Sequence, residues 1–223
     1  MTRIQTKFYL QNMEAFLKHC RKRKYTAKSI IIHSGDSSTS LFYILSGSVA
    51  VIAEDNDGKE ITLAYLNAGD FVGEMGLFEN RCRSAHIRAK TNCELGEMSY
   101  RRFLALSTKY PELLFAVAKQ VSNRLAHTSR KMRDLVFLNV SGRVAGALLD
   151  LCKEPDAQQK STGIQIRTTR QEIARLVGCS REMVGRILKD FEANRLISLN
   201  GKTIMVFNAS YHKLSIIQPT HTI

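Results

Sequence analysis

The chain has 223 residues, of which 44% are hydrophobic and 24% charged, a balance that suits two domains with cores of their own and excludes a disordered charged tail. Its net charge of +13 is unevenly spread: residues 1–28 hold 8 basic and 1 acidic side chains, 29–110 hold 8 and 10, 111–138 hold 5 and 2, and 139–223 hold 12 and 7. Basic ends around a mildly acidic middle point to a nucleic-acid module beside a module of another kind, with plain solvated helix faces as the alternative.

Membrane and metal chemistry find little support. The longest apolar stretch, Leu41 to Ala53, is interrupted by Ser46, Gly47 and Ser48 and falls short of the ~20 residues of a membrane span. Arg3, Lys7 and Glu14 stand where a secretory signal would be apolar, so a cytoplasmic location and no membrane partner are expected. Cys20, Cys82, Cys93, Cys152 and Cys179 form no CxxC pair and lie near no histidine pair at ligand spacing. Idle or buried thiols, and no metal, are expected.

From Ser29 to about Leu95 the chain reads as short strands and turns. Leu41–Leu45, Val49–Ile52 and Ile61–Leu66 are rich in strand formers, and Glu54-Asp55-Asn56-Asp57-Gly58-Lys59 is a polar turn of hairpin type. Breaks at Gly35-Asp36, Gly47 and Gly69-Asp70 recur at the interval of an antiparallel roll, barrel or sandwich.

Within this module Gly69-Asp70-Phe71-Val72-Gly73-Glu74-Met75-Gly76-Leu77-Phe78, followed by Arg83-Ser84-Ala85, is the most specific feature. Glycines at 73 and 76 let backbone amides converge on an anion, and a short helical turn adds its dipole. Arg83 offers a cationic fork and Ser84 a hydroxyl donor, which together suit a phosphate. Glu74 is placed to accept from a ribose hydroxyl, with Met75 beside it.

Pro111 opens a stretch free of Gly and further Pro that runs to Ser141 and predicts a long helix. Along it Leu114, Ala118, Val121, Leu125, Thr128, Met132 and Leu135 recur at steps of 4 and 3, a heptad seam. Parallel dimerisation is the preferred reading, with packing against the helix's own domain as the alternative. Thr128 puts a hydroxyl into this seam. It either bonds the carbonyl one turn back or, with Ser129, meets a polar ligand at the dimer interface.

The C-terminal part predicts a winged helix-turn-helix. Thr169-Arg170-Gln171-Glu172 fits a capping box, and the helix it opens carries Ile173, Ala174, Leu176 and Val177 before Gly178-Cys179. Ser180 caps a second helix with Met183, Val184, Ile187, Leu188 and Phe191 on its inner face. Arg181, Glu182, Gly185, Arg186 and Lys189 fall on the other face, with Thr169, Arg170 and Ser180 at the two helix starts as further DNA contacts. Arginine can donate twice to guanine, glutamate can accept from cytosine, and Gly185 would let the backbones approach closely. Residues 197–206, with Asn200-Gly201 at the turn, predict the wing hairpin.

These motifs resemble the Crp/Fnr transcription regulators. The resemblance rests on Gly73-Glu74-Met75-Gly76-Leu77-Phe78 with Arg83-Ser84-Ala85, on His127-Thr128-Ser129, and on Gly178 to Arg186, and it spans about Phe16 to Val206. It implies an α+β fold: an antiparallel β-roll cyclic-nucleotide-binding domain over 1–110, a dimerisation helix over 111–138 and a winged helix-turn-helix over 139–223. It implies cyclic AMP as effector, with Gly73, Glu74, Met75, Gly76, Arg83 and Ser84 around the ribose and phosphate. Thr128, and Ser129 of the other protomer, would meet the adenine. Arg181, Glu182 and Arg186 would read bases of double-stranded DNA. RNA polymerase contacts are implied at Arg21, Arg23 and Arg102 and at the loop from Pro155 to Gly163. Two departures from the family pattern are a segment between Phe78 and Arg83 one residue short and methionine, not leucine, at position 75.

The expected protein is therefore a homodimeric, cyclic-AMP-responsive transcription regulator that recruits polymerase or represses at pseudo-palindromic sites. The alternative is a regulator of the same fold that is constitutive or senses a different effector. An iron–sulfur sensor would need a cysteine cluster near the start, where only Cys20 stands. A cupin-type enzyme would need closely spaced metal ligands, which His33 and His86 do not supply.

Overall fold

The structure is a computed structural model and describes residues 16–78 and 82–208. The N-terminal charges at Arg3, Lys7 and Glu14, the spacing between Phe78 and Arg83, and the tail after Asn208 lie outside the described residues. By internal contacts the chain divides into two units, Met1–Thr128 and Ser129–Ile223.

The first unit is two antiparallel four-stranded sheets. Strands β1 (Arg21–Tyr25), β8 (Cys93–Ser99), β3 (Ser40–Ser46) and β6 (Phe71–Val72) form one sheet in that order. Strands β2 (Ile30–Ile32), β7 (His86–Ala89), β4 (Ser48–Glu54) and β5 (Glu60–Asn67) form the other. Strand β3 explains why its sequence is apolar from Leu41 to Leu45 and does not alternate. Phe42 and Ile44 enter the core with Val49, Leu66, Val72, Ile87 and Leu95, while Leu41 and Tyr43 enter a second core with Phe16, Phe71, Phe103, Leu113 and Val117. Successive side chains point to opposite faces, so a strand covered on both sides reads as a continuous apolar run. The Asp-Gly turn forms where expected, with Asp55 Oδ1 accepting from the amides of Asp57 and Lys59 at 3.0 and 2.8 Å.

Two helices follow, α1 (Tyr100–Lys109) and α2 (Glu112–Phe137). Phe103 of α1 closes a ring cluster with Phe16, Tyr43 and Phe71, edge to face at centroid distances of 5.1–6.1 Å. Such pairs each add about 0.5–1.5 kcal/mol beyond the area they bury. Helix α2 docks through Leu113 and Val117 and then through Gln120, whose amide meets both backbone groups of Phe71 at 2.7 Å. A side-chain amide thus completes the hydrogen bonding of strand β6.

The second unit contains α3 (Val140–Leu151), α4 (Arg170–Val177) and α5 (Arg181–Ala193). Its sheet has the order β11 (Ile197–Asn200), β12 (Thr203–Phe207), β10 (Gly163–Arg167) and β9 (Gln158–Gln159). Asn139 caps α3 by accepting from the Gly142 amide at 2.9 Å. The wing hairpin expected over 197–206 forms, and β10 and β9 widen it. The segment expected as a loop from Pro155 to Gly163 therefore contains a strand. Gly163 is held there by close approach: a Cβ would lie 2.1 Å from the carbonyl oxygen of Val206. No helix among the described residues is long and apolar enough to cross a membrane, and among them no group of three or more His, Cys, Asp or Glu is arranged to hold a metal.

Candidate functional site

A cleft opens in the first unit, lined by Gly73, Glu74, Met75, Gly76, Arg83 and Ser84 together with Cys82, Arg124 and an apolar wall that includes Val51, Leu66 and Ile87. The chain reverses at Gly73 into a short 3-10 helix, Glu74–Phe78, and the Arg83-Ser84 segment returns beside it before β7. All six residues that the sequence groups around a phosphate and ribose thus share one space. Met75 and Ser84 are exposed there, with Ser84 Oγ 3.4 Å from Met75 Sδ.

Arg83 is fixed by backbone carbonyls. Nη1 donates to Gly73 O at 3.2 Å, and Nη2 donates to Ser40 O at 2.7 Å. A Cβ at Gly73 would lie 2.3 Å from Nη1, so the first glycine of the motif makes room for this guanidinium as well as allowing the positive φ of 75°.

Glu74 is 4% exposed, and its Oε1 accepts from Arg124 Nη1 at 2.6 Å. Arg124 Nη2 also donates to Phe71 O. The sequence places Arg124 outside the heptad seam and offers no sign that it reaches a carboxylate fifty residues earlier. Only the basic side chain at a step of 4 from Gln120 and 7 from Val117, on the face that docks, hints at it. Thr128, one turn beyond Arg124, does not line the cleft within this chain; it and Ser129 are exposed.

All seven seam residues are exposed, with Leu125 and Met132 each at 67%. The alternative that the seam packs on its own unit therefore fails, because Leu113 and Val117 do that from a neighbouring face. A long apolar stripe left bare marks an interaction surface.

In the second unit the capping box forms: Thr169 Oγ1 accepts from the Glu172 amide at 3.2 Å, and Glu172 Oε2 accepts from the Thr169 amide at 2.6 Å. Gly178 ends α4 in the left-handed conformation, and Ser180 caps α5 by accepting from the Met183 amide at 3.2 Å. Val184, Ile187, Leu188 and Phe191 are buried, while Arg170, Ser180, Arg181, Glu182, Arg186 and Lys189 are exposed. Thr169 is half-buried. Gly185 departs from the expectation. It is buried, because the Arg170 side chain lies over it, with Cδ 3.6 Å from where a Cβ would be.

Of the basic surface, Arg21, Arg23 and Arg102 are exposed. Arg21 and Arg23 lie on β1, an edge strand that the sequence reading missed, and Arg23 Nε pairs with Glu97 at 2.8 Å. Burial pushes the Cys20 thiol up to about 12 against the opposing charge of Arg102. In the second unit burial likewise raises Cys179 against the charge of Arg143.

A family profile for the cyclic nucleotide-binding domain matches residues 22–110, and one for the Crp-like helix-turn-helix domain matches 142–210. The chain is 52% identical over 202 residues to the cAMP-activated global transcriptional regulator Vfr of Pseudomonas aeruginosa, covering 89% of this chain and 94% of the relative. It is 52% identical over 196 residues to the cAMP-activated global transcriptional regulator CRP of Salmonella typhimurium, covering 87% and 93%. Among solved structures it is similar to CLP, the c-di-GMP responsive global regulator of Xanthomonas campestris, at 44% identity and a TM-score of 0.83, covering 89% and 99%.

Proposed function

This chain belongs to the Crp/Fnr family of DNA-binding transcription regulators, and from that premise we propose that it is a homodimer whose hold on DNA is set by cyclic AMP. The observation that carries the reading is the Glu74–Arg124 pair, which joins the buried carboxylate of the cleft to the helix that bears the exposed seam. Gly73, Glu74, Met75 and Gly76 wrap the ribose and cyclic phosphate, and Arg83 with Ser84 takes the phosphate charge. Thr128 of one protomer and Ser129 of the other meet the adenine. Arg124 Nε, buried with no acceptor among the described residues, is a donor that an oxygen-rich ligand satisfies.

Residues 1–110 serve as the ligand module, 111–138 as the dimerisation helix and 139–223 as the DNA-reading module. Arg181, Glu182 and Arg186 read base edges in the major groove, and Thr169, Arg170, Ser180 and Lys189 position the helix on the backbone. Arg21, Arg23 and Arg102, and the 155–163 segment, form surfaces for RNA polymerase in a cytoplasmic setting. Cyclic AMP acts by binding the DNA-competent dimer better than the other state, since equal affinity for both would shift nothing.

Because CLP responds to c-di-GMP, the effector itself is part of the test. Of the two guanidinium groups that line the cleft, Arg124 is paired with Glu74, which leaves Arg83 to meet the phosphate and favours one cyclic phosphate over a dinucleotide with two. Calorimetric titration with cyclic AMP, cyclic GMP and cyclic di-GMP, followed by operator binding with and without each, decides the matter. Cyclic AMP should bind and raise operator affinity, and Arg83→Leu should abolish both effects. Equal operator affinity with and without saturating nucleotide would leave a constitutive regulator, and uptake of cyclic di-GMP alone would transfer the role to that ligand.

A further inference from the structure

A guanidinium that is to meet a phosphate needs a fixed direction, and backbone carbonyls supply only part of it. Arg83 Nη1 also donates to the Tyr100 hydroxyl at 3.0 Å. That hydroxyl donates to Gly73 O at 2.5 Å and lies 2.6 Å from Ser38 Oγ. A phenol has one proton and two lone pairs. With the proton on the Gly73 carbonyl, the lone pairs receive Arg83 N–H and Ser38 O–H, and the oxygen is fully satisfied.

The sequence motif is shaped around this group. A Cβ at Gly76 would lie 2.3 Å from both Ser38 Oγ and Tyr100 OH, as one at Gly73 would from Arg83 Nη1. Both glycines are thus kept bare by the Arg83–Tyr100–Ser38 cluster. The base of the tyrosine is anchored too, since its amide donates to Thr39 O at 3.1 Å, within the segment that carries Ser38 and Ser40.

We propose that Tyr100 is a positioning residue of the phosphate site, its hydroxyl locking the Arg83 guanidinium to the Gly73 carbonyl so that the cation is held at the cleft before the ligand arrives. The proposal rests on the reading of the cleft as a cyclic-nucleotide site. An arginine held in this way loses little further freedom on binding, and affinity rises for that reason and not through a contact of Tyr100 with the ligand. Tyr100 is absent from the cleft wall, in keeping with an indirect role.

Tyr100→Phe keeps the ring, whose centroid is 6.0 Å from Arg83 Cζ, and removes the hydroxyl alone. Calorimetry should show the dissociation constant for cyclic AMP rising about tenfold, or about 1.4 kcal/mol at 25 °C. Cyclic GMP should weaken by the same factor, because the defect lies on the phosphate side. In an Arg83→Lys background, which keeps the charge and loses the fork, adding Tyr100→Phe should change affinity less than twofold, a non-additivity that a merely structural tyrosine would not produce. Gly76→Ala, which crowds the same hydroxyl, should imitate Tyr100→Phe. Wild-type affinity in Tyr100→Phe, or an equal loss in the Arg83→Lys background, would overturn the proposal. Unchanged affinity in Arg83→Leu would overturn the nucleotide reading beneath it, and the proposal with it.

Discussion

Arg124 is the most exacting place to test how the cleft is built. Arg124→Met removes the guanidinium from Glu74, a carboxylate 4% exposed that has 2.6 Å contact with Nη1. At an effective dielectric constant of about 20 the gross attraction at that separation is about 6 kcal/mol. Desolvation of both charges offsets part of it, and removing one partner of a buried pair costs about 3–5 kcal/mol in measured cases. The Arg124 side chain is 25% exposed, so the low end, about 3 kcal/mol, is expected. With a urea slope of about 2 kcal/mol/M the midpoint should fall by about 1.5 M. Glu74→Met combined with Arg124→Met leaves no unpaired charge and should recover most of that stability, yet fail to bind nucleotide because the ribose acceptor is gone. A loss under about 0.5 kcal/mol in Arg124→Met, or a double variant as unstable as the single one, would refute the reasoning.

Replacing Arg181 by alanine should cost about 1–3 kcal/mol and relax preference at one symmetric pair of operator positions, while Lys189→Ala should weaken all sequences alike; selection of bound sequences distinguishes the two, and an unaltered motif in Arg181→Ala would count against base reading. Thr128→Ala should narrow the preference for cyclic AMP over cyclic GMP more than it weakens either, and equal losses in calorimetry would remove Thr128 from base recognition. In alkylation followed by mass spectrometry at pH 8, exposed Cys82 should react first, and saturating cyclic AMP should slow it because Cys82 lines the cleft. Cys20 and Cys152, pushed by burial up to about 12 and about 11, should stay unmodified. The unfolded chain releases the Cys20 proton near 9.0 and the folded chain near 12, so the stability this thiol contributes is full below 9.0 and is lost as pH rises through that window.

What the sequence made legible was local. The Thr169 capping box, the Ser180 cap and the Asp-Gly turn are each decided within five residues, and the heptad seam within seven. Strand β1 escaped because Arg21-Lys22-Arg23-Lys24 has no strand preference of its own; it pairs with β8, where Glu97 and Glu94 stand opposite Arg21 and Lys24. The grouping of Gly73, Glu74 and Arg83 was legible because a stretch of eleven residues holds it. The partners that orient them were not, since Arg124 and Tyr100 come from fifty and twenty-seven residues beyond the residues they bond. Gly185 shows the same reach: spacing puts it on the outer face, and only the neighbouring helix brings the Arg170 side chain over it.

Helix α2 gathers the pieces into one device through its periodicity. Leu113, Val117, Gln120 and Arg124 follow one another at steps of 4, 3 and 4 and make one strip, the last two bonding Phe71 and Glu74 at the cleft. Leu114, Ala118, Val121, Leu125 and Thr128 repeat the same steps one residue later and make the exposed strip. One residue is a rotation of about 100°, so the two strips are neighbours on the helix and cannot move independently. In the proposed dimer, a ligand that pulls on Glu74 acts on the same rigid helix that carries the exposed strip, and Thr128 lies on that strip one turn beyond Arg124. Coupling between sites is reciprocal, so whatever nucleotide adds to the strength of the dimer seam, the seam adds to the strength of nucleotide binding.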